Sequence, residues 1–312
     1  MPQVDIPVIT APPSAEHPQI SLVRAISVFL ALTTALSSVF WALMIASGHV
    51  LGAHGAYAVG LEWCPGTAAL LTCAILRIDL ATLGWHWRPW RWQILAYGTP
   101  PAAFAVAYGV VWTTGLGGFP NMKTVADLRD SLGLGNLTTA EVILLWVALW
   151  LTGSSVRSLA SSLGEAIGWS GFLAPRLAAR YGFTKAVLIT GAIWASWHFP
   201  ILLFSDYFDE TSLPAWFALP CFVIWILGVS AIMLWLRLRS GSLWTGALIN
   251  ASANVFNQSV FAPLTAPRGW ITAYAIDESG FMLPVVIVAT ALLCWLRRRD
   301  VARPRVLAPT LP

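Results

Sequence analysis

Four polar side chains stand inside stretches that are otherwise apolar. Glu165 lies in LGEAIGWSGFLAPRL (163–177), His198 in GAIWASWHFPILLF (191–204), and Asn250 and Asn254 in GALINASANVFNQ (246–258). A carboxylate and an imidazole in a dry site can take a proton from water and so activate it. Amide N–H groups suit the negative charge that develops on an attacked carbonyl. The neighbours fit such a site. Gly164 and Gly168 flank Glu165 and allow another chain segment to approach the backbone closely. Trp194 is one helical turn before His198, and Gly246, Asn250 and Asn254 succeed one another at four-residue spacing on one helix face. Each residue also has a plain structural reading: a carboxylate in a wet vestibule, a hydrogen-bonded packing histidine, and amides that tie neighbouring helices together.

These residues need elements that hold them at membrane depth. Of 312 residues 57% are apolar and 10% charged, against about 25% charged in a soluble domain. This excludes a water-soluble enzyme, a disordered chain and a nucleic-acid binder, and it predicts an all-α integral membrane protein. A crossing helix takes about 20 apolar residues. Seven stretches qualify, at 22–47, 57–76, 93–116, 184–205, 214–236, 243–263 and 281–296, and an eighth lies somewhere within 139–178.

Eight transmembrane helices around an intramembrane polar cavity put both termini on one side, and the positive-inside rule makes that side the cytoplasm. Fifteen of the eighteen basic residues then lie inside, Arg157 among them, and Lys123, Arg129 and Arg268 lie outside. The expected location is therefore the cell membrane, as a multi-pass protein. Residues 1–20 read as a disordered polar tail, 21–297 as the membrane domain and 298–312 as a basic cytoplasmic tail. GWHWRPWRW (84–92) has the Trp/Arg composition of an interfacial belt. The four cysteines, Cys64, Cys73, Cys221 and Cys294, fit neither a disulfide framework nor a zinc cage.

Depth brings the three segments together. At 1.5 Å per residue, Glu165 lies about 16 Å from Arg176, His198 about 20 Å from Lys185, and the asparagines about 16 and 22 Å from Arg239. Charged and strongly polar groups at that depth usually mark a functional site. Trp169, Trp194, Trp197 and Trp244, with Ser170, are the expected lining of the cavity.

In order, spacing and helix count the three segments resemble the CPBP family of intramembrane endopeptidases, which includes CAAX prenyl proteases and bacteriocin-processing or self-immunity proteins. Its motifs run EExxxR, FxxxH and HxxxN on the fourth, fifth and seventh of eight spans. The resemblance implies Glu165 as general base, His198 as its partner on the water, and Asn250 with Asn254 as oxyanion donors, without a metal. One Glu, one His and two Asn are a poor zinc set, so no metal or cofactor is expected.

The sequence departs from the motifs at four positions. The second glutamate is Ala166, the arginine is Ser170, the histidine of the third motif is Asn250, and the phenylalanine of the second is Trp194. The paired loss of Glu and Arg avoids an unpaired buried charge and is expected to open space beside Glu165. Three functions follow from this reading. The first is a peptidase for a hydrophobic or prenylated peptide at the lipid bilayer. The second is a repurposed enzyme that cyclises or isomerises a lipid-like isoprenoid or polyketide, with the tryptophans stabilising a cation. The third is an inactive pseudoprotease that binds, scaffolds or confers immunity.

Overall fold

The computed structural model describes residues 21–87, 89–208 and 213–301, so the expected tail at 1–20 and most of the one at 298–312 lie outside the described residues. Ten α-helices follow one another among the described residues, with short 3-10 turns between some of them. They are α1 (Leu22–Ser47), α2 (Ala56–Leu76), α3 (Trp90–Thr114), α4 (Met122–Ser131), α5 (Thr139–Tyr181), α6 (Phe183–Phe204), α7 (Ala215–Ser240), α8 (Trp244–Asn254, continued as a π-helix over Val255–Phe261), α9 (Trp270–Ala275) and α10 (Met282–Leu296). No strand occurs among the described residues, where a single antiparallel bridge joins Gly118 to Ala266.

Among the described residues six helices are long and apolar enough to cross a membrane: α1, the run Ala53–Leu76 that contains α2, α3, α5, α6 and α7. The stretches 243–263 and 281–296, expected as the seventh and eighth spans, are helical as α8 and α10 but fall short of that length and hydropathy; α10 has 15 residues. Local chemistry sets several boundaries. Ser21 caps α1 by accepting from the Arg24 N–H, and Gly48 ends it in the left-handed conformation at φ +72°. Thr138 and Glu141 form a reciprocal capping box at the start of α5.

The fourth span lies within a helix much longer than one crossing. Over 139–178 and just beyond, α5 is a continuous 43-residue helix with π-helical turns at Trp150–Ser154 and Ile167–Leu173. Its middle is packed between α2 and α8. At the α2 crossing the backbones nearly touch: a Cβ built on Gly164 would come within 2.6 Å of the Glu62 carbonyl oxygen, and one built on Gly66 within 2.6 Å of the Gly164 oxygen. Glycine allows that approach and no side chain would.

The two ends of the bundle differ. One holds the α2–α3 and α7–α8 connections, where the Trp/Arg segment packs into an aromatic layer: Trp87 meets Trp244 at 5.3 Å and Trp92 meets Trp235 at 5.7 Å. Buried Arg176 and Arg237 pin the loop at Thr82–Leu83 by hydrogen bonds. The opposite end carries the α1–α2, α6–α7 and α9–α10 connections. Arg157, expected among the cytoplasmic residues, belongs to this second end: its guanidinium lies 3.1 Å from a Cβ built on Gly55. The long α5 carries it there, because 24 residues, about 36 Å of rise, separate it from Tyr181.

Candidate active site

A cavity of about 870 Å³ opens within the bundle, and Glu165, His198, Asn250 and Asn254 all line it. Three helices supply them, each with an irregularity close by. The π-helical turn Ile167–Leu173 begins two residues after Glu165, Pro200 stands two residues after His198, and the π-helix of α8 begins directly after Asn254. Such turns inside an α-helix occur frequently at functional sites.

Glu165 is 5% exposed and held at both oxygens. The Trp194 indole N–H donates to its Oε2 at 2.6 Å, and the Asn250 amide donates to its Oε1 at 3.1 Å. His198 places Nδ1 3.0 Å from the Trp194 carbonyl. A carbonyl can only accept, so Nδ1 carries the hydrogen and a neutral ring keeps Nε2 as an acceptor for the cavity. Trp197 edges onto the imidazole at 4.8 Å and Phe222 at 5.1 Å. Glu165 and His198 therefore face one space without bonding each other, the arrangement needed for a water held between a base and an acceptor. Among the described residues no group of three His, Cys, Asp or Glu could hold a metal ion.

Three expected lining residues lie elsewhere. Trp169, one turn past Glu165, bears on its carboxyl but is buried against Phe29 at 5.7 Å and Trp197 at 5.8 Å and so is not part of the lining. Ser170 is pressed against α8, since a Cβ on Gly246 would come within 2.7 Å of its Cβ. Trp244 donates to the Trp85 carbonyl at 2.8 Å, in the aromatic layer. Only Trp194 and Trp197 of the expected five line the cavity. The space expected from Ala166 and Ser170 is likewise absent: both are buried, at 1% and 2% exposure, and packing fills what the smaller side chains leave.

Sequence reasoning also missed Glu62, which α2 brings to the same cavity. It stands within the apolar stretch 57–76, and that alone was the signal. With Glu62, Glu165, Asp206, Asp277 and Glu278, the lining holds five carboxyls and no Lys or Arg among the described residues.

At the mouth, the α1–α2 loop is strapped to the end of α6. Asp206 accepts from the Val50 N–H at 2.8 Å and meets His49 Nδ1 at 2.9 Å. The Val50 N–H first, and then His49, hold the Asp206 carboxyl below its ordinary 3.8. Because the folded value is depressed, the strap is complete above that ordinary value and is lost as pH falls through the folded one. Amide exchange of residues 48–55 is expected to stay slow from neutral pH down to about 4 and to quicken below it. Asp206→Asn should quicken exchange already at neutral pH. Across the mouth, Tyr207 donates to Glu278, whose carboxyl burial pushes up to about 8, with Asp277 adding to the shift.

The bond from Trp194 to Glu165 is a charge-assisted hydrogen bond when the carboxyl is ionised, worth about 1.5–3 kcal/mol. Trp194→Phe keeps the ring's bulk and deletes the donor. We expect turnover at this site to fall by about 10- to 100-fold, measured as kcat, with little change in thermal unfolding.

Comparison with known proteins falls on the same segments. Residues 141–256, a little over a third of the chain, match the family model described as type II CAAX prenyl endopeptidase Rce1-like, and this range holds Glu165, His198, Asn250 and Asn254. A curated relative, "CAAX prenyl protease 2" of Methanococcus maripaludis, is 30% identical over 78 residues. That match spans 24% of this chain and 28% of the relative, about a quarter of each.

Proposed function

From the match of residues 141–256 to the Rce1-like CAAX prenyl endopeptidase model, we propose that this membrane protein is a metal-independent intramembrane peptidase for a hydrophobic or prenylated peptide. Glu165 takes a proton from the attacking water. His198 Nε2 accepts the water's second hydrogen bond and so aims its lone pair. Asn250 is turned toward the carboxyl, which makes it the group that orients Glu165. Asn254, facing the cavity with no side-chain bond of its own among the described residues, is the oxyanion donor. The resemblance assigned both asparagines to the oxyanion; the geometry favours dividing their work. We also read the chain as having eight spans, with both termini on the cytoplasmic side of the cell membrane.

The observation that carries this reading is the single cavity shared by Glu165 and His198, with the carboxyl fixed by two donors. The test is direct. Purified protein in lipid nanodiscs is given a farnesylated peptide ending in a CAAX sequence, and products are identified by mass spectrometry. A peptidase yields the prenylated cysteine with a new carboxyl terminus. An intact peptide, together with a cellular phenotype unchanged by Glu165→Ala and His198→Ala, selects the inactive binder instead.

A further inference from the structure

Glu62 has no part in the peptidase scheme, although its surroundings give it one. It is carried by α2, on the turn that crosses α5 at Gly164: its own carbonyl would lie 2.6 Å from a Cβ on that glycine. Glu165 is the next residue along α5, so the two carboxyls reach one cavity from adjacent backbones. Glu62 Oε2 is buried and unpartnered, and no hydrogen bond to this carboxyl forms among the described residues. Arg157 on α5 influences it from the mouth side, yet no ion pair within 4 Å joins them. A buried carboxyl oxygen without a protein partner, on a side chain that lines a polar cavity, needs something in that cavity to bond.

We propose that Glu62 is the second carboxyl of this site and donates the proton taken by the departing amine. This inference rests on the peptidase reading. Two carboxyls facing one cavity from neighbouring backbones are most easily accommodated with a single proton between them, because a second negative charge there meets both burial and repulsion. The steps balance. Glu165 accepts a proton from water as the new C–O bond forms. The tetrahedral intermediate then expels nitrogen, which takes the proton of the Glu62 carboxyl as the C–N bond breaks. The proton on Glu165 passes to Glu62 through cavity water, and both groups return to their starting state. The carboxylate that the family motif places beside the first glutamate is Ala166 here; α2 supplies one from the backbone that crosses α5 at Gly164.

Full-length Glu62→Gln and Glu62→Asp proteins in nanodiscs, assayed with the farnesylated CAAX peptide, test the proposal. Glu62→Gln should lower kcat by at least about 100-fold while KM stays within about two-fold, and Glu62→Asp should recover part of the rate. A merely structural role would instead show as lowered thermal stability with a near-normal rate for the folded fraction. Wild-type turnover by Glu62→Gln overturns the proposal while leaving Glu165 as base. If the wild-type protein does not cut the peptide, the peptidase reading fails, and infrared absorption of protonated carboxyls decides the pairing separately. One such band must vanish in Glu62→Gln and shift in Glu62→Asp, and a spectrum that neither variant changes overturns the proposal.

Discussion

Glu165→Gln is expected to abolish peptide cleavage, with a loss of at least about 100-fold and up to about 10⁴-fold, the range that general-base catalysis contributes. The substitution preserves size and still offers an oxygen to the Trp194 indole. It cannot take a proton, and its NH₂ group would turn toward a second donor, the Asn250 amide, or force the side chain to flip. The protein should therefore fold and bind peptide with little change in KM while kcat collapses, a split that separates loss of chemistry from loss of binding. Asn250→Asp keeps the shape of the side chain but sets a second carboxyl against the first, so it too should suppress turnover. Unchanged cleavage by Glu165→Gln would remove the general base from the scheme.

The second large effect concerns the helix crossing. Gly168 meets α2 at Pro65, where a built Cβ would lie 2.8 Å from the Pro65 carbonyl carbon and oxygen. Backbone cannot yield as a flexible side chain does, so Gly168→Val should push the two helices apart. Overpacking of this kind typically costs about 1–3 kcal/mol, and occasionally more. Thermal unfolding in detergent should shift downward, with Gly168→Ala intermediate. Activity should fall further than the unfolded fraction explains, since the same crossing sets Glu62 beside Glu165. Wild-type unfolding temperature in Gly168→Val would mean that the close approach is not required.

Much of this site could be read from residue types and spacing. Glu165, His198, Asn250 and Asn254 announce themselves as polar groups in apolar helices, and their depths agree because helical rise converts sequence distance into height. Height is only one coordinate. The direction a residue faces depends on helical register, and a π-turn alters it by lengthening the hydrogen-bonded loop. Trp169, one turn from Glu165, stays beside that carboxyl but is covered by Phe29 and Trp197, so it does not line the cavity, whereas Trp194 and His198 both do. Glu62 escaped for another reason. It belongs to no motif, and its proximity to Glu165 depends on a crossing between α2 and α5 that no local pattern records beyond the glycines themselves. The fourth span was hard to delimit because it has no internal end: apolar and small residues continue through 43 positions.

That last helix has a mechanical side. At 1.5 Å per residue, α5 measures about 65 Å, roughly twice the hydrocarbon thickness of a bilayer. Its first half is sparsely covered by protein, with Leu144, Leu149 and Val156 all exposed. A rod of such length leans or projects, and its packing against α2 and α8 sets the angle at which it rests. Because Glu165 rides on the packed stretch, the base keeps its aim while the exposed first half meets the lipid.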